Sequence, residues 1–392
     1  MDGPTAERAP ASLDRLLAAK EIVICCGSGG VGKTTVAAAL AAMAAAQTPG
    51  KVLVITVDPA RRLANALGME RLGNVETRVA PELFRRAGTE ARGELWAAML
   101  DTRQSWDDLV TAHAPDEATR HAILANPLYV NVAGRFVQSH DYIAMERLYE
   151  IHRSGRYDLV VVDTPPSRNA IDFLEAPERM ADFFSSRLLR WLTVPTRSRL
   201  VTAASRSFTG VADRVLGSQL LEDIAEFFLL FQTMYDGFVE RSQAVTRTLS
   251  DKRTTFVVVS TLEPAPVHEA GLFVDALAER NFPLGAVVLN KVLPDWFRAS
   301  GTGATAARLA SHAEEIAAGL PRETGDRRQV ERVLSEIGES FSNFQLVAKR
   351  EAEQQAELGA RADALATVPY ADHDITDVAA LLELGRHLWR DR

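Results

Sequence analysis

The stretch Ile22-Val-Ile-Cys-Cys-Gly27-Ser-Gly-Gly-Val-Gly32-Lys33-Thr34-Thr35 decides the fold. Its first residues are a compact β-type run, Glu21–Cys26, and a Gly-rich loop follows at once. The loop fits Gly27-x4-Gly32-Lys33-Thr34, and each part has a physical reason. Backbone N–H groups that turn inward around a phosphate need small side chains there. A helix must then begin immediately, so that its free N–H groups and its dipole face the anion. Lys33 supplies a point charge to the β- and γ-phosphates, and Thr34 supplies a hydroxyl to Mg2+. The candidate phosphate site is therefore Gly27, Ser28, Gly29, Gly30, Val31, Gly32, Lys33, Thr34 and Thr35, with ATP and Mg2+ as the expected cofactors.

Working outward, Thr34–Gln47 is a strong helix former with eight alanines between 37 and 46, stopped at Pro49-Gly50. Lys51–Val57, Arg156–Asp163, Thr254–Ser260 and Leu284–Asn290 read as further strands. Apolar strands alternating with helices predict an α/β fold, a P-loop NTPase with a mostly parallel sheet flanked by helices. Asp163 and Asp58 each end an apolar strand, where open α/β sheets place ligand-binding groups. Either could hold Mg2+ through water, or simply cap the next helix.

Two stretches break the alternation. Residues 101–155 and 176–250 look helical throughout and predict a helical subdomain inserted into a single ATPase domain spanning 20–392, behind an N-terminal arm, 1–19. In segment 326–358, Val330, Leu334, Ile337, Phe341, Phe344 and Ala348 recur every three or four residues, one apolar seam on a long helix. Such a seam packs within its own chain or against another subunit. Residues 298–313, rich in Gly, Ala, Ser and Thr, predict a mobile loop.

The bulk numbers exclude several classes. A net charge of −8 argues against broad nucleic-acid binding, which needs a positive surface. No apolar run is long enough to predict a transmembrane span. The chain opens without a basic flank and apolar stretch, and its only cysteines are the adjacent Cys25 and Cys26; together these predict a cytoplasmic protein without disulfides.

The loop Gly29-Gly-Val-Gly-Lys-Thr-Thr35, the segment Asp58-Pro59-Ala60 and Asp163-Thr164-Pro165 stand in an order and spacing that resemble the deviant Walker A ATPases. The resemblance is to the branch of ArsA-type anion pumps and tail-anchored-protein-targeting ATPases. Phe173-Leu-Glu-Ala-Pro-Glu178, Val288-Leu-Asn290-Lys291 and Val368-Pro369 extend it. The resemblance implies that Lys33, Thr34 and Thr35 hold phosphates and Mg2+. It implies that Asp58 orients or activates the attacking water, that Asp163 sits in the second switch, that Asn290 reads adenine and that Pro369 lies beside the base. Asp58 and Lys33 would be the catalytic residues, and Thr34, Asp58 and Asp163 the metal residues. It further implies a dimer with a homologous subunit, whose helical subdomain rearranges with the nucleotide.

The chain also departs from that family. Members usually carry a second lysine where this chain has Ser28, and in the dimer that lysine reaches the other subunit's phosphates. A lysine-bearing paralogue could supply the charge in trans, or Arg61, Arg62 or Arg168 within the chain. Zinc and arsenite need soft thiolates, and two cysteines inside the first strand do not provide such a site. The eight histidines include no close pair. Met180 and Met234 are the only methionines between 176 and 250, where Phe and Leu could form a client groove or a private core. Arg187, Arg190, Arg197, Arg199 and Arg206 have no acidic neighbour between 183 and 212, which suits a solvated loop, an anionic ligand, an acidic partner or a membrane surface. Two functions remain. One is an ATPase coupling hydrolysis to its helical region; the other is a nucleotide-gated binding subunit with weak hydrolysis. A partitioning ATPase fits less well, because such proteins lack a long helical insert.

Overall fold

A computed structural model describes residues 12–389 apart from 59, 133–138, 165–169, 186–226, 300, 322–325 and 372. Eight strands form one sheet: β1 (Ile22–Cys26), β2 (Lys51–Thr56), β3 (Thr77–Arg78), β4 (Glu94–Met99), β5 (Leu159–Asp163), β6 (Thr254–Ser260), β7 (Leu284–Val292) and β8 (Ala364–Pro369). Their spatial order is β3-β4-β2-β5-β1-β6-β7-β8. All pairs are parallel except β3 with β4. β1 lies inside the sheet, between β5 and β6.

The apolar runs read from the sequence are the strands with both faces covered. In β1, Val23 and Cys25 join one core, while Ile22, Ile24 and Cys26 join the other. On the first face lies the helix Lys33–Gln47, whose alanines are almost wholly buried, together with the helix Val378–Leu388. On the second face lie the helices Ser139–Arg153, Tyr235–Ser250 and Pro264–Glu279. Leu13 and Leu17 of a short helix, Leu13–Ala18, join the first core. Among the described residues no helix is long and apolar enough to cross a membrane.

The crossover from β4 to β5 carries the helices Thr102–His113, Glu117–Ala125, Pro127–Val132 and Ser139–Arg153. That from β5 to β6 carries Ala170–Ser185 and Tyr235–Ser250. They share a third core, in which Trp106, Tyr142 and Phe238 meet with ring centroids 6.1–6.3 Å apart. Met180 and Met234 are both buried in it, so these two methionines line no open groove. The five arginines between 187 and 206 lie outside the described residues.

Most of residues 298–313 are not the loop that their composition predicts. Thr302–Ser311 is a helix that packs on the long helix Arg327–Gly359. Its alanines supply helix propensity and a flat face, and Gly338 of the long helix is buried against Ala306 and Ala310. The seam expected on the long helix divides in two. Gly338 and Ala348 are buried and Leu334 and Phe341 half-buried, whereas Ile337 and Phe344 are about half exposed.

Candidate nucleotide site

The chain leaves the buried end of β1 through Gly27, at φ +147°, where a Cβ would strike the Val259 carbonyl of β6. Gly32, at φ +95°, is the N-cap of Lys33–Gln47, and a Cβ there would strike the Asn290 side-chain amide. Both positions thus need glycine for their backbone conformation and for the space around them. No side chain caps this helix, and its first turn carries no acidic residue. Its N–H groups are open to an anion.

Three charged groups converge behind the loop. Lys33 is buried, and its Nζ donates to the Ser28 carbonyl at 2.7 Å. Burial lowers its pKa, while Asp163, Cys26 and Asp58 act in the opposite direction. Asp163, at the end of β5 beside Cys25 of β1, is fully buried. Its Oδ2 accepts from the Thr56 hydroxyl at 2.7 Å. Oδ1 has no hydrogen bond of normal geometry, although the Thr34 hydroxyl is near enough to favour the ionised form. Burial pushes the Asp163 carboxyl up to about 6, with Thr56, Thr34 and Lys33 opposing the shift. Asp58, just past β2, accepts from the Ala60 N–H at 2.9 Å through Oδ1. Its Oδ2 lies 3.7 Å from Nη1 of the exposed Arg62.

Thr56 ties the two carboxylates together, since its hydroxyl also accepts from the Asp58 N–H at 3.1 Å. Sequence reasoning passed over it. The available signal was a lone hydroxyl in the run Val52-Leu-Val-Ile-Thr56-Val. Thr164 was likewise missed; its hydroxyl donates to the Cys25 carbonyl at 2.9 Å and pins the chain leaving β5.

A cleft of about 600 Å3 opens from this point. Gly30, Gly32, Lys33, Thr34, Thr35 and Asp58 line it, and so do Asn290 and Pro369. Lys291, Tyr370 and Asp374 also line it and were not anticipated. The Asn290 amide is largely committed within the protein. Its Nδ2 donates to the Val31 carbonyl at 2.8 Å, and its Oδ1 accepts from the Lys291 N–H at 3.0 Å. Asn290 therefore props the phosphate loop, with one N–H remaining for a ligand. Lys291, at φ +59°, breaks the register of β7 against β8. Ser28 brings no charge, and its buried hydroxyl has no partner. Arg168 lies outside the described residues.

These donors suit a nucleotide phosphate with a hard divalent cation. Open helix N–H groups and a lysine stand near a carboxylate, that of Asp163, with one buried oxygen that lacks a strong partner. Elsewhere among the described residues, His113, Glu146 and Glu150 form a cluster with metal-ligand spacing. There Arg241 pairs with Glu146 at 2.8 Å and Arg147 with Glu150 at 3.2 Å, so both carboxylates are already neutralised.

Comparison with known proteins agrees with the geometry. A family model described as anion-transporting ATPase, of the ArsA type, matches residues 20–310. An uncharacterized protein of Streptomyces coelicolor is 31% identical over 273 residues, covering 69% of this chain and 62% of that protein. A protein of Aquifex aeolicus bearing the name arsenical pump-driving ATPase 2 is 25% identical over 278 residues, 69% of this chain and 79% of its own length. The ATPase GET3 of Malassezia globosa is 22% identical over 305 residues, 72% of this chain and 77% of its own. The chain belongs to the ArsA-type anion-transporting ATPase family.

Proposed function

We propose that the chain binds Mg-ATP in this cleft and hydrolyses it, coupling the nucleotide state to its helical layer within a dimer. The observation that carries this reading is the convergence of Lys33, Asp58 and Asp163 on the open N-terminus of one helix. Gly27, Ser28, Gly29, Gly30, Val31, Gly32 and Lys33 would wrap the phosphates; Thr34, Asp58 and Asp163 would hold Mg2+, and Thr35 would complete the cradle. Mg2+ would neutralise charge on the transferring phosphoryl group. Lys33 would stabilise the same charge from the loop. Asp58, held by the Ala60 N–H, would orient the attacking water. Asn290 and Pro369 would flank the base.

The inserted helical regions, about 101–155 and 176–250, are the proposed client- or ligand-binding part. Ser28 favours a second reading, a nucleotide-gated subunit with weak hydrolysis of its own. Phosphate release in the presence of Mg2+, measured beside equilibrium nucleotide binding, separates the two. Turnover abolished by Lys33→Ala supports the first reading, while tight binding without turnover supports the second.

A further inference from the structure

Between residues 61 and 92 the chain carries seven arginines against four glutamates, a positive stretch in a protein of net charge −8. Four of these arginines have partners. Arg62 lies against Asp58, Arg78 against Glu94 and Arg85 against Glu82, and Arg92 donates to the Gln47 carbonyl. Arg61, Arg71 and Arg86 form no ion pair among the described residues. Two of them, Arg61 and Arg71, line a cavity of about 230 Å3 that is separate from the nucleotide cleft. Only the short helix Arg62–Ala66 stands between the two: Leu63 and Ala64 line the cavity, whereas Arg62, Asn65 and Ala66 line the cleft. Leu63, Leu72 and Met99 give the cavity apolar walls. At about 30 Å3 per water it has the volume of about eight water molecules, too little for a nucleotide or a folded peptide segment. Its two guanidinium groups repel a metal cation. What fits is a small anion with an apolar body.

We infer that this cavity binds a short-chain carboxylate, and that its occupancy is linked to the nucleotide in the neighbouring cleft. Arg61 and Arg71 hold the head, since a guanidinium matches a carboxylate with two parallel N–H···O bonds. The chain lies on Leu63, Leu72 and Met99; an inorganic anion would satisfy the arginines and leave those walls uncovered. Two contacts carry the linkage. Ala60 lines the cavity, and its N–H is the group that holds Asp58. Thr56 lines it as well, and its hydroxyl bridges Asp58 and Asp163. A ligand against these residues restrains the groups that a nucleotide and its cation must order, so the two bind cooperatively. The linkage rests on the nucleotide reading given above; the carboxylate site does not.

The test is calorimetric titration of the full chain with hexanoate, with acetate and hexanamide as controls. Hexanoate should bind one site per chain. Each buried methylene is worth about fourfold, so acetate should bind about 50-fold or more weaker. Hexanamide keeps the chain and lacks the charge, and should bind about tenfold or more weaker. Arg71→Gln should weaken hexanoate by about tenfold or more, whereas Arg86→Gln, outside the cavity, should leave it unchanged. Both side chains are exposed, so neither change threatens the fold. Saturating hexanoate should tighten Mg-ATP by about fivefold or more, and Mg-ATP should tighten hexanoate by the same factor. Arg71→Gln should remove this coupling and leave Mg-ATP affinity measured alone as it was. Absence of hexanoate binding overturns the proposal, as does binding indifferent to Arg71→Gln or equal for hexanamide. Hexanoate binding that leaves Mg-ATP affinity unchanged overturns the linkage. A chain that takes hexanoate through Arg71 and binds no Mg-ATP upholds the site and refutes the nucleotide reading instead.

Discussion

Asp163 sits where its charge is disfavoured, and this gives the site a pH signature. Its folded-state pKa, about 6, lies above the ordinary carboxylate value of 3.8. Between those values the folded protein keeps a proton that the unfolded chain has released. Stability therefore falls as pH rises from about 4 to about 6, and the loss is complete above that range, roughly 3 kcal/mol for a shift of this size. Asp163→Asn should remove this slope from urea-unfolding midpoints of the nucleotide-free protein, and parallel profiles for the two proteins would refute it. Lys33→Ala should abolish nucleotide binding without unfolding the chain, because its charge serves the loop and not a hydrophobic core; calorimetric titration with Mg-ATP checks this. Asp58→Asn should retain binding and lose about 10²-fold or more in turnover, since an amide cannot accept a proton from water. Equal loss of binding would make Asp58 a structural or chiefly a metal-site residue. At this scale the sequence displayed several of the groups that the fold brings to the cleft, because glycines, a lysine and a strand-end aspartate leave a spacing pattern. It did not display the Thr56 bridge or the Asn290 prop. Both depend on where the sheet sets β2, β5 and β7 around β1, and no local pattern encodes that.

Among the elements, the strands read correctly were those buried on both faces, since continuous β-branched runs have few other uses. β8 was missed because Ala364-Leu-Ala-Thr-Val-Pro369 is alanine-rich and buries only alternate residues. β4 suffers similarly, with Glu94 and two alanines diluting the signal, and the two-residue β3 is too short to leave one. Thr302–Ser311 was read as a loop because its small residues resemble turn composition; its reason for being small is the crossing with Gly338. A Cβ at Gly338 would lie 2.6 Å from the Ala306 carbonyl oxygen and 2.7 Å from the Ala310 nitrogen. Backbone atoms of a helix cannot yield as the tip of a side chain can. Gly338→Leu should therefore destabilise the chain by about 1–3 kcal/mol despite leucine's better helix propensity. Its melting temperature should fall by several degrees, while a neutral effect would mean that the two helices do not cross there.

For the whole molecule, the class of fold was legible from strand–helix alternation, whereas the strand order was not, because nothing in a crossover's composition says where the next strand inserts. The question of subunits turns on Ser28. A transferring phosphoryl group spreads negative charge over its oxygens, and an additional cation there is worth about 10³-fold or more in rate. Ser28 contributes only a buried, unpartnered hydroxyl and a carbonyl that accepts from Lys33. Among the described residues Arg62 lines the cleft, but it is mostly exposed and 3.7 Å from Asp58, so its charge is partly spent on a carboxylate. A homologous subunit that kept the lysine would repair the deficit from across the interface. The two sites would then be unequal: nucleotide on this chain would meet the partner's lysine, and nucleotide on the partner would meet only Ser28. The purified chain should accordingly release phosphate slowly, and a lysine-bearing paralogue should accelerate it. That acceleration should vanish when the paralogue's extra lysine is replaced, and survive when the paralogue's own phosphate-loop lysine is replaced. Rapid hydrolysis by this chain alone, indifferent to any paralogue and lost on Arg62→Ala, would place the missing cation in cis.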